Sequence, residues 1–332
     1  MIDLHLHLDG SLSKEDFIYL ANRQGVNLGE KFPENIVVNK DCTSLEEYLQ
    51  RFALPCSLLQ DYESLKYVTT SLIKRLYSLN YIYVEIRFAP QLHTLKGMNE
   101  VEVVQAVLDG LKEGLNETPG FDANVILCCM RQTSYEINVK TIEAAIKLND
   151  KKIVAIDLAG PEAFLPTRDY KQLFDIANSH NLNVIIHAGE ACGNESIMEA
   201  IDIGAKRIGH GVHLSFDEAS LKKVKNRIYF EFCPTSNLQT KSLSNYHDVP
   251  LRQFMDNDIL VTINSDNMTV SDTDVIQEFK HMVSTFSLNK EEAFKLLNNS
   301  IDASFIQESE KEEKRKALLN KFDTFCDKIN CK

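Results

Sequence analysis

Short β-branched runs recur along the whole chain, each followed by a longer stretch with apolar residues at helical spacing. This alternation restricts the fold more than any other feature. The runs cover residues 2–7, 81–88, 124–129, 153–158, 184–187, 207–210, 229–233 and 260–264. Most of the intervals between them can hold a crossover helix, and strand-helix alternation argues for a parallel sheet. Eight such units close into a (β/α)8 TIM barrel of the α/β class, so the 332 residues are read as one domain rather than two. The interval 10–80 is too long for a single crossover and is read as a helical insertion over the barrel mouth, where lids sit. Within it, Ser13 should open a helix before Phe17, and Ser44-Leu45-Glu46-Glu47 reads as a capping box. Residues 274–332 read as extra C-terminal helices with a solvated charged face, carrying Glu310/Lys314 and Glu312/Lys316 at i, i+4.

Composition narrows the function. With 44% apolar residues the chain can bury a large core, yet no apolar run approaches the ~20 residues of a membrane span. No signal peptide is read before the strand at Ile2, so a cytoplasmic location without a membrane partner is expected. The eight cysteines are scattered without C-x-x-C spacing, and free thiols packed as small hydrophobes are expected. A net charge of −12 argues against a nucleic-acid partner, which needs clustered Lys and Arg, and favours a small neutral or cationic substrate. Oligomeric state is not legible in these features.

In a barrel of this kind, catalytic groups sit at the carboxyl ends of strands, and residues with ligand chemistry stand at those ends here. His5 and His7, at i and i+2 on one strand, point to the same face. His187-Ala188-Gly189-Glu190 follows the fifth run, Gly209-His210-Gly211 ends the sixth, and Asn264-Ser265-Asp266-Asn267 ends the eighth. Together they read as a metal centre of three imidazoles and one carboxylate, and imidazole suits zinc, copper, iron or nickel better than calcium or magnesium. His93, His180, His213, His247 and His281 are read as ordinary structural or surface histidines.

Taken with Asp9-Gly10, Asp157-Leu158-Ala159-Gly160 and Cys233-Pro234-Thr235-Ser236-Asn237, these segments resemble the motif set of the adenosine deaminases, within the metal-dependent amidohydrolase superfamily. The resemblance runs in order from the first residues to about Val270. It implies one zinc ion per chain held by His5, His7, His187 and Asp266. It further implies that Glu190 donates a proton to ring N1 and that His210 assists the attacking water as base or as electrostatic stabiliser. Asp266 would also orient that water. On the substrate side, His7 would border the pocket, Asp9 would meet the ribose 5′-hydroxyl, the Gly160 amide would face N3, and Asn267 would occupy the position that contacts N7. The implied reaction converts adenosine or 2′-deoxyadenosine to inosine or deoxyinosine and ammonia, in purine salvage, with the nucleoside and water as the only partners. Adenine deaminases of the same branch share most of these motifs and supply the alternative reading, action on the free base.

For this chemistry Glu190 must stay protonated, which calls for surroundings that raise its pKa. Asn267 departs from the second Asp that many relatives carry; two acceptors facing each other must share a proton, whereas an Asn amide can donate directly to N7. Met268-Thr269-Val270 also departs from the Pro that follows the pair in many relatives, leaving that loop's shape open. Asp157 and Glu162 are candidates to support site residues from behind. Cys192 is read as packing. Asp9 would repel a phosphate, so a nucleoside is preferred to a nucleotide. Two-metal relatives bridge their ions with a lysine at the end of the fourth strand, whereas Lys151 and Lys152 precede it, and the H-x-E and P-C-x-x-C signature of nucleic-acid deaminases is missing.

Overall fold

The computed structural model describes residues 1–39 and 42–331. Eight parallel strands follow one another in sequence order: β1 (Ile2–His7), β2 (Tyr83–Phe88), β3 (Asp122–Met130), β4 (Ile153–Ala159), β5 (Asn183–Ala188), β6 (Arg207–His210), β7 (Tyr229–Phe232) and β8 (Leu260–Ile263). Each expected strand is present, with ends displaced by at most two residues. The ring closes between β8 and β1 through backbone beyond the last strand. His7 N–H donates to the Asp266 carbonyl at 2.7 Å, and Asp266 N–H donates to the His5 carbonyl at 2.8 Å. The Asn264 side-chain oxygen takes the Leu4 N–H at 3.0 Å, which ends β8 at Ile263, one residue before the expected Asn264.

Alternation within the strands sorts their side chains into two layers. Ile2, Leu4 and Leu6 of β1, and Val84, Ile86 and Phe88 of β2, join the apolar shell beneath the outer helices. The intervening positions carry charge: Asp3, His5, Glu85, Arg87, Arg207 and Glu231 are almost fully buried. Ions inside a barrel persist only when paired, and these form a continuous row. Arg207 bridges Glu85 and Glu231 at 2.6 Å each; Arg87 bridges Glu231 at 2.8 Å and Asp157 at 2.9 Å. The row ends on the histidines at the mouth.

The interval 10–80 divides into two parts, apart from residues 40 and 41, which lie outside the described residues. Helix Tyr62–Ser78 is the ordinary crossover between β1 and β2, packed on the next outer helix, Glu100–Asn116. The insertion proper is therefore the shorter segment before it, with helices Lys14–Gln24, Leu45–Leu49 and Ala53–Leu58. Ser13 caps the first of these in a full capping box with Asp16. Ser44 caps the second by accepting from Glu47 N–H, but the Glu47 carboxylate turns to Thr43, taking its N–H and hydroxyl at 2.9 Å each, so only half of the expected box forms. Three helices, Val275–Phe286, Lys290–Ala303 and Glu308–Ile329, follow β8; the expected segment runs on to residue 332, which lies outside the described residues. No described helix is long and apolar enough to cross a membrane. All eight cysteines are free thiols.

Glu278, on the first of these C-terminal helices, is buried and accepts from Thr235 N–H at 3.0 Å and from the Thr273 hydroxyl at 2.5 Å. Burial outweighs these bonds and raises its pKa from 4.5 to about 7. The folded chain thus holds a proton that the unfolded chain has lost between about pH 4.5 and 7. Stability must fall as pH rises through that interval, by at most about 3 kcal/mol. Urea unfolding of wild type and Glu278→Gln at pH 5 and pH 8 should show the variant gaining on wild type at the higher pH. An unchanged difference would remove Glu278 as the cause.

Candidate active site

The carboxyl ends of β1, β5, β6 and β8 surround one cavity that opens to solvent. His7, Asp9, Gly160, His187, Glu190, His210, Asp266 and Asn267 all line it. His5 lies directly beneath, its ring centroid 4.6 Å from His187 and 5.0 Å from His210. Asp266 reaches the same point from β8: its Oδ1 is 3.6 Å from His5 Nε2 and 3.4 Å from His7 Nε2. Every site residue expected from the sequence therefore converges on one place.

Local backbone makes this convergence possible. His210 and Asp266 both adopt left-handed φ of +61°, a conformation that costs a non-glycine residue on the order of 1 kcal/mol or more. Gly209, between two strand neighbours, leaves room for the imidazoles: a Cβ there would lie 3.1 Å from His5 Cε1 and 3.2 Å from the His187 backbone. Gly160, at φ +101°, brings bare backbone to the cavity wall beside Gln132.

Charges in the barrel interior fix the histidine tautomers. His5 Nδ1 donates to Glu231 at 2.8 Å, and His187 Nδ1 donates to Asp157 at 3.0 Å, so each Nε2 is left as a lone pair aimed at the cluster. His5 Nε2 is buried and has no hydrogen-bond partner. His210 is set the other way: the Asn237 amide donates to its Nδ1 at 3.1 Å, which places the proton on Nε2, 3.6 Å from Glu190 Oε2. Burial and the nearby Arg87 hold His5 well below the usual histidine range, and burial lowers His210 to about 4. Although burial opposes it, Asp157 raises the pKa of His187; the same pairing, with Arg87, overcomes burial to hold Asp157 below the carboxylate range.

Glu190 sits on the turn leaving β5, almost fully buried, and burial raises its pKa to about 7, with the neighbouring Glu162 adding to the shift. Glu162, from the connection after β4, holds this turn in place. Its carboxylate accepts from the N–H groups of Gly189, Glu190, Ala191 and Cys192 at 2.7 to 3.0 Å. Burial alone would raise Glu162, yet Ser196 and these amides lower it, so it remains a carboxylate. Asp9, raised to about 6 by burial, keeps Oδ1 buried without a partner.

Asn267 differs from expectation. Its Nδ2 donates to Asp266 Oδ1 at 2.7 Å and to the Tyr48 hydroxyl at 2.8 Å, so both amide hydrogens are already committed. Among the other histidines, His93 and His213 bond backbone carbonyls, His180 bonds a carbonyl of its own helix, and His281 stacks on Tyr246. The Cys192 thiol pKa is pushed up by burial and by Glu162, so nothing here activates it. Sequence reasoning missed Arg87, Glu231 and Tyr48, and singled out the motif ending in Asn237 without giving that residue a role. A charged residue inside an otherwise apolar strand, as in Val84-Glu85-Ile86-Arg87-Phe88, was the available signal for the first two.

A family model described as adenosine deaminase matches residues 1–324. The chain belongs to the adenosine deaminase family. A curated adenosine deaminase of Haemophilus ducreyi is 45% identical over 96% of this chain and 94% of its own length. Among solved structures, an adenine deaminase from Arthrobacter aurescens superposes with a TM-score of 0.88 at 24% identity, covering 96% of this chain and 98% of that one. An amidohydrolase from Burkholderia ambifaria with bound Zn superposes at 0.87 and 17% identity, covering 99% and 92%. The last two likenesses concern the fold. As a member of the adenosine deaminase family, the chain is a hydrolytic deaminase, and the histidine-rich cluster at its mouth suits a metal ion.

Proposed function

We propose that the chain deaminates adenosine and 2′-deoxyadenosine to inosine and deoxyinosine, releasing ammonia in purine salvage, with one zinc ion held by His5, His7, His187 and Asp266. The observation that carries this reading is the pair of Nε2 lone pairs on His5 and His187, fixed by buried carboxylates and converging with His7 and Asp266. Three imidazoles and one carboxylate are a donor set that suits zinc, and the orphaned His5 Nε2 is the atom such an ion would satisfy. His210, with its proton on Nε2, is a donor and not a ligand. When bound, zinc supplies a Lewis acid and brings the pKa of water to about 7.

The chain's own residues then divide the remaining work. Glu190, its pKa raised to about 7, holds its proton below that pH and delivers it to ring N1 as attack at C6 sends electron density there. His210 Nε2–H offers a hydrogen bond to the oxygen that arrives at C6, while Asp266 orients the attacking water. His7 borders the reacting face, and the Gly160 backbone faces N3. The unpartnered Asp9 Oδ1 accepts the ribose 5′-hydroxyl, a donor that free adenine lacks, which favours the nucleoside over the base. No Lys or Arg lines the cavity among the described residues, which favours the nucleoside over its monophosphate.

Purified protein should contain about one zinc per chain and show the ultraviolet change of deamination with adenosine. Greater turnover of adenine would promote the free-base reading, and turnover of the monophosphate alone would overturn the role of Asp9. Arg87 clamps both carboxylates that orient His5 and His187, so Arg87→Met should weaken the hold on the metal about 10–100-fold in competition with a chelator. Unchanged metal affinity would show that those carboxylates keep their places without it.

A further inference from the structure

Asp9 lines the cavity and keeps Oδ1 buried without a partner. Rotamer preference alone does not fix a carboxylate in that position, because the terminal torsion of aspartate has broad wells. Donors have to set its rotation. The N–H groups of Asp9 and Gly10 reach it from its own stretch of backbone. The one side-chain donor to it among the described residues is Cys56, whose thiol donates to Oδ2 at 3.7 Å. Cys56 lies outside the cavity lining, so the thiol grips the carboxylate from behind.

The helix that carries this thiol, Ala53–Leu58 of the insertion, is firmly seated. Gln60, just beyond its end and buried, donates from Nε2 to the Cys56 carbonyl at 2.7 Å and to the Leu92 carbonyl at 2.8 Å. Its Oε1 accepts from Leu95 N–H at 2.9 Å, and His93 Nδ1 donates to the Leu59 carbonyl at 3.1 Å. The helix end is thus stitched to the connection after β2, which keeps the thiol in place behind Asp9. We propose that Cys56 is a positioning residue: by occupying Oδ2 it turns Oδ1 to the ribose 5′-hydroxyl, and the lid thereby takes part in choosing a nucleoside over the free base. This rests on the purine nucleoside reading above. A thiol is a weak donor, so its contribution is orientation more than strength. With Oδ2 released, the carboxylate swings within its broad well, and binding has to supply the order that the thiol provides in advance.

The test uses the zinc-loaded full chain with adenosine and 5′-deoxyadenosine, which lacks only the hydroxyl in question. Wild type should favour adenosine in kcat/KM by about tenfold. Cys56→Ala should lose about fivefold on adenosine and nothing on 5′-deoxyadenosine, whose unchanged turnover also shows that the variant is folded. Cys56→Val, which fills the space of the thiol without donating, should behave like Cys56→Ala. In an Asp9→Ala background, Cys56→Ala should change neither substrate, because the group it acts through is gone. A loss shared equally by both substrates, a loss that persists in the Asp9→Ala background, or full activity in Cys56→Val would each overturn the assignment. Wild type separates the levels. If it leaves adenosine untouched, the functional reading falls and takes this inference with it; if it deaminates both substrates equally, the ribose contact of Asp9 falls, and the inference with it. If wild type discriminates and Cys56→Ala discriminates as well, only the Cys56 role fails.

Discussion

Replacing Glu190 by Gln is expected to lower kcat on adenosine by about 10²–10⁴-fold, the usual worth of a positioned general acid. The amide matches the carboxyl in size and still donates a hydrogen bond, but it cannot give up a proton as charge develops on N1. Little else should change. The turn that carries residue 190 is held by Glu162 through backbone amides, which the substitution leaves intact. Zinc content and the affinity for 1-deazaadenosine should therefore stay near wild type, because neither requires proton transfer. Steady-state kinetics alongside metal analysis separate these quantities. Near-normal kcat with zinc bound would eliminate Glu190 as the donor.

Asp266→Asn should be at least as damaging, through a different route. The substitution keeps the shape of the side chain and suits the left-handed backbone, since Asn tolerates φ near +61° better than most residues. The two backbone bonds that close the barrel onto His5 and His7 also survive. What is lost is the anionic ligand, and with it the several kcal/mol of charge stabilisation that a metal provides, about 10³-fold or more in rate. Metal per chain should fall well below one, while the melting temperature of the metal-free protein should match that of metal-free wild type. Full zinc occupancy in Asp266→Asn would show that three imidazoles suffice.

The strands were legible because each is a short β-branched run bounded by polar residues, and the ligands were legible because strand ends are where a barrel gathers its chemistry. The charged row behind the ligands was harder to foresee. Arg87 meets Asp157 and Glu231, 70 and 144 positions away, and only closure of the ring decides which buried ions become partners. Glu47 turned to Thr43 instead of completing its box, a local competition between two nearby donor sets that the spacing S-x-x-E does not resolve. Asn267 looked free to donate because its neighbours in sequence offer no second acceptor; Tyr48, which takes its other hydrogen, lies 219 positions earlier. The long interval after β1 concealed an ordinary crossover helix, Tyr62–Ser78, because amphipathic periodicity looks alike in a lid and in an outer helix.

The carboxylate of Glu162, gripping four successive amides on the neighbouring connection, has an implication for how such an enzyme can diversify. Two adjacent loops joined this tightly must change length together or not at all, since an insertion in either would swing the acid away from its target. New substrate ranges are then more accessible through the excursion between the first two strands. There Leu45, Tyr48, Leu49 and Phe52 touch the ligand space while anchoring none of the imidazoles. The scaffold thus separates a portion that must be inherited intact from a portion open to evolutionary trial.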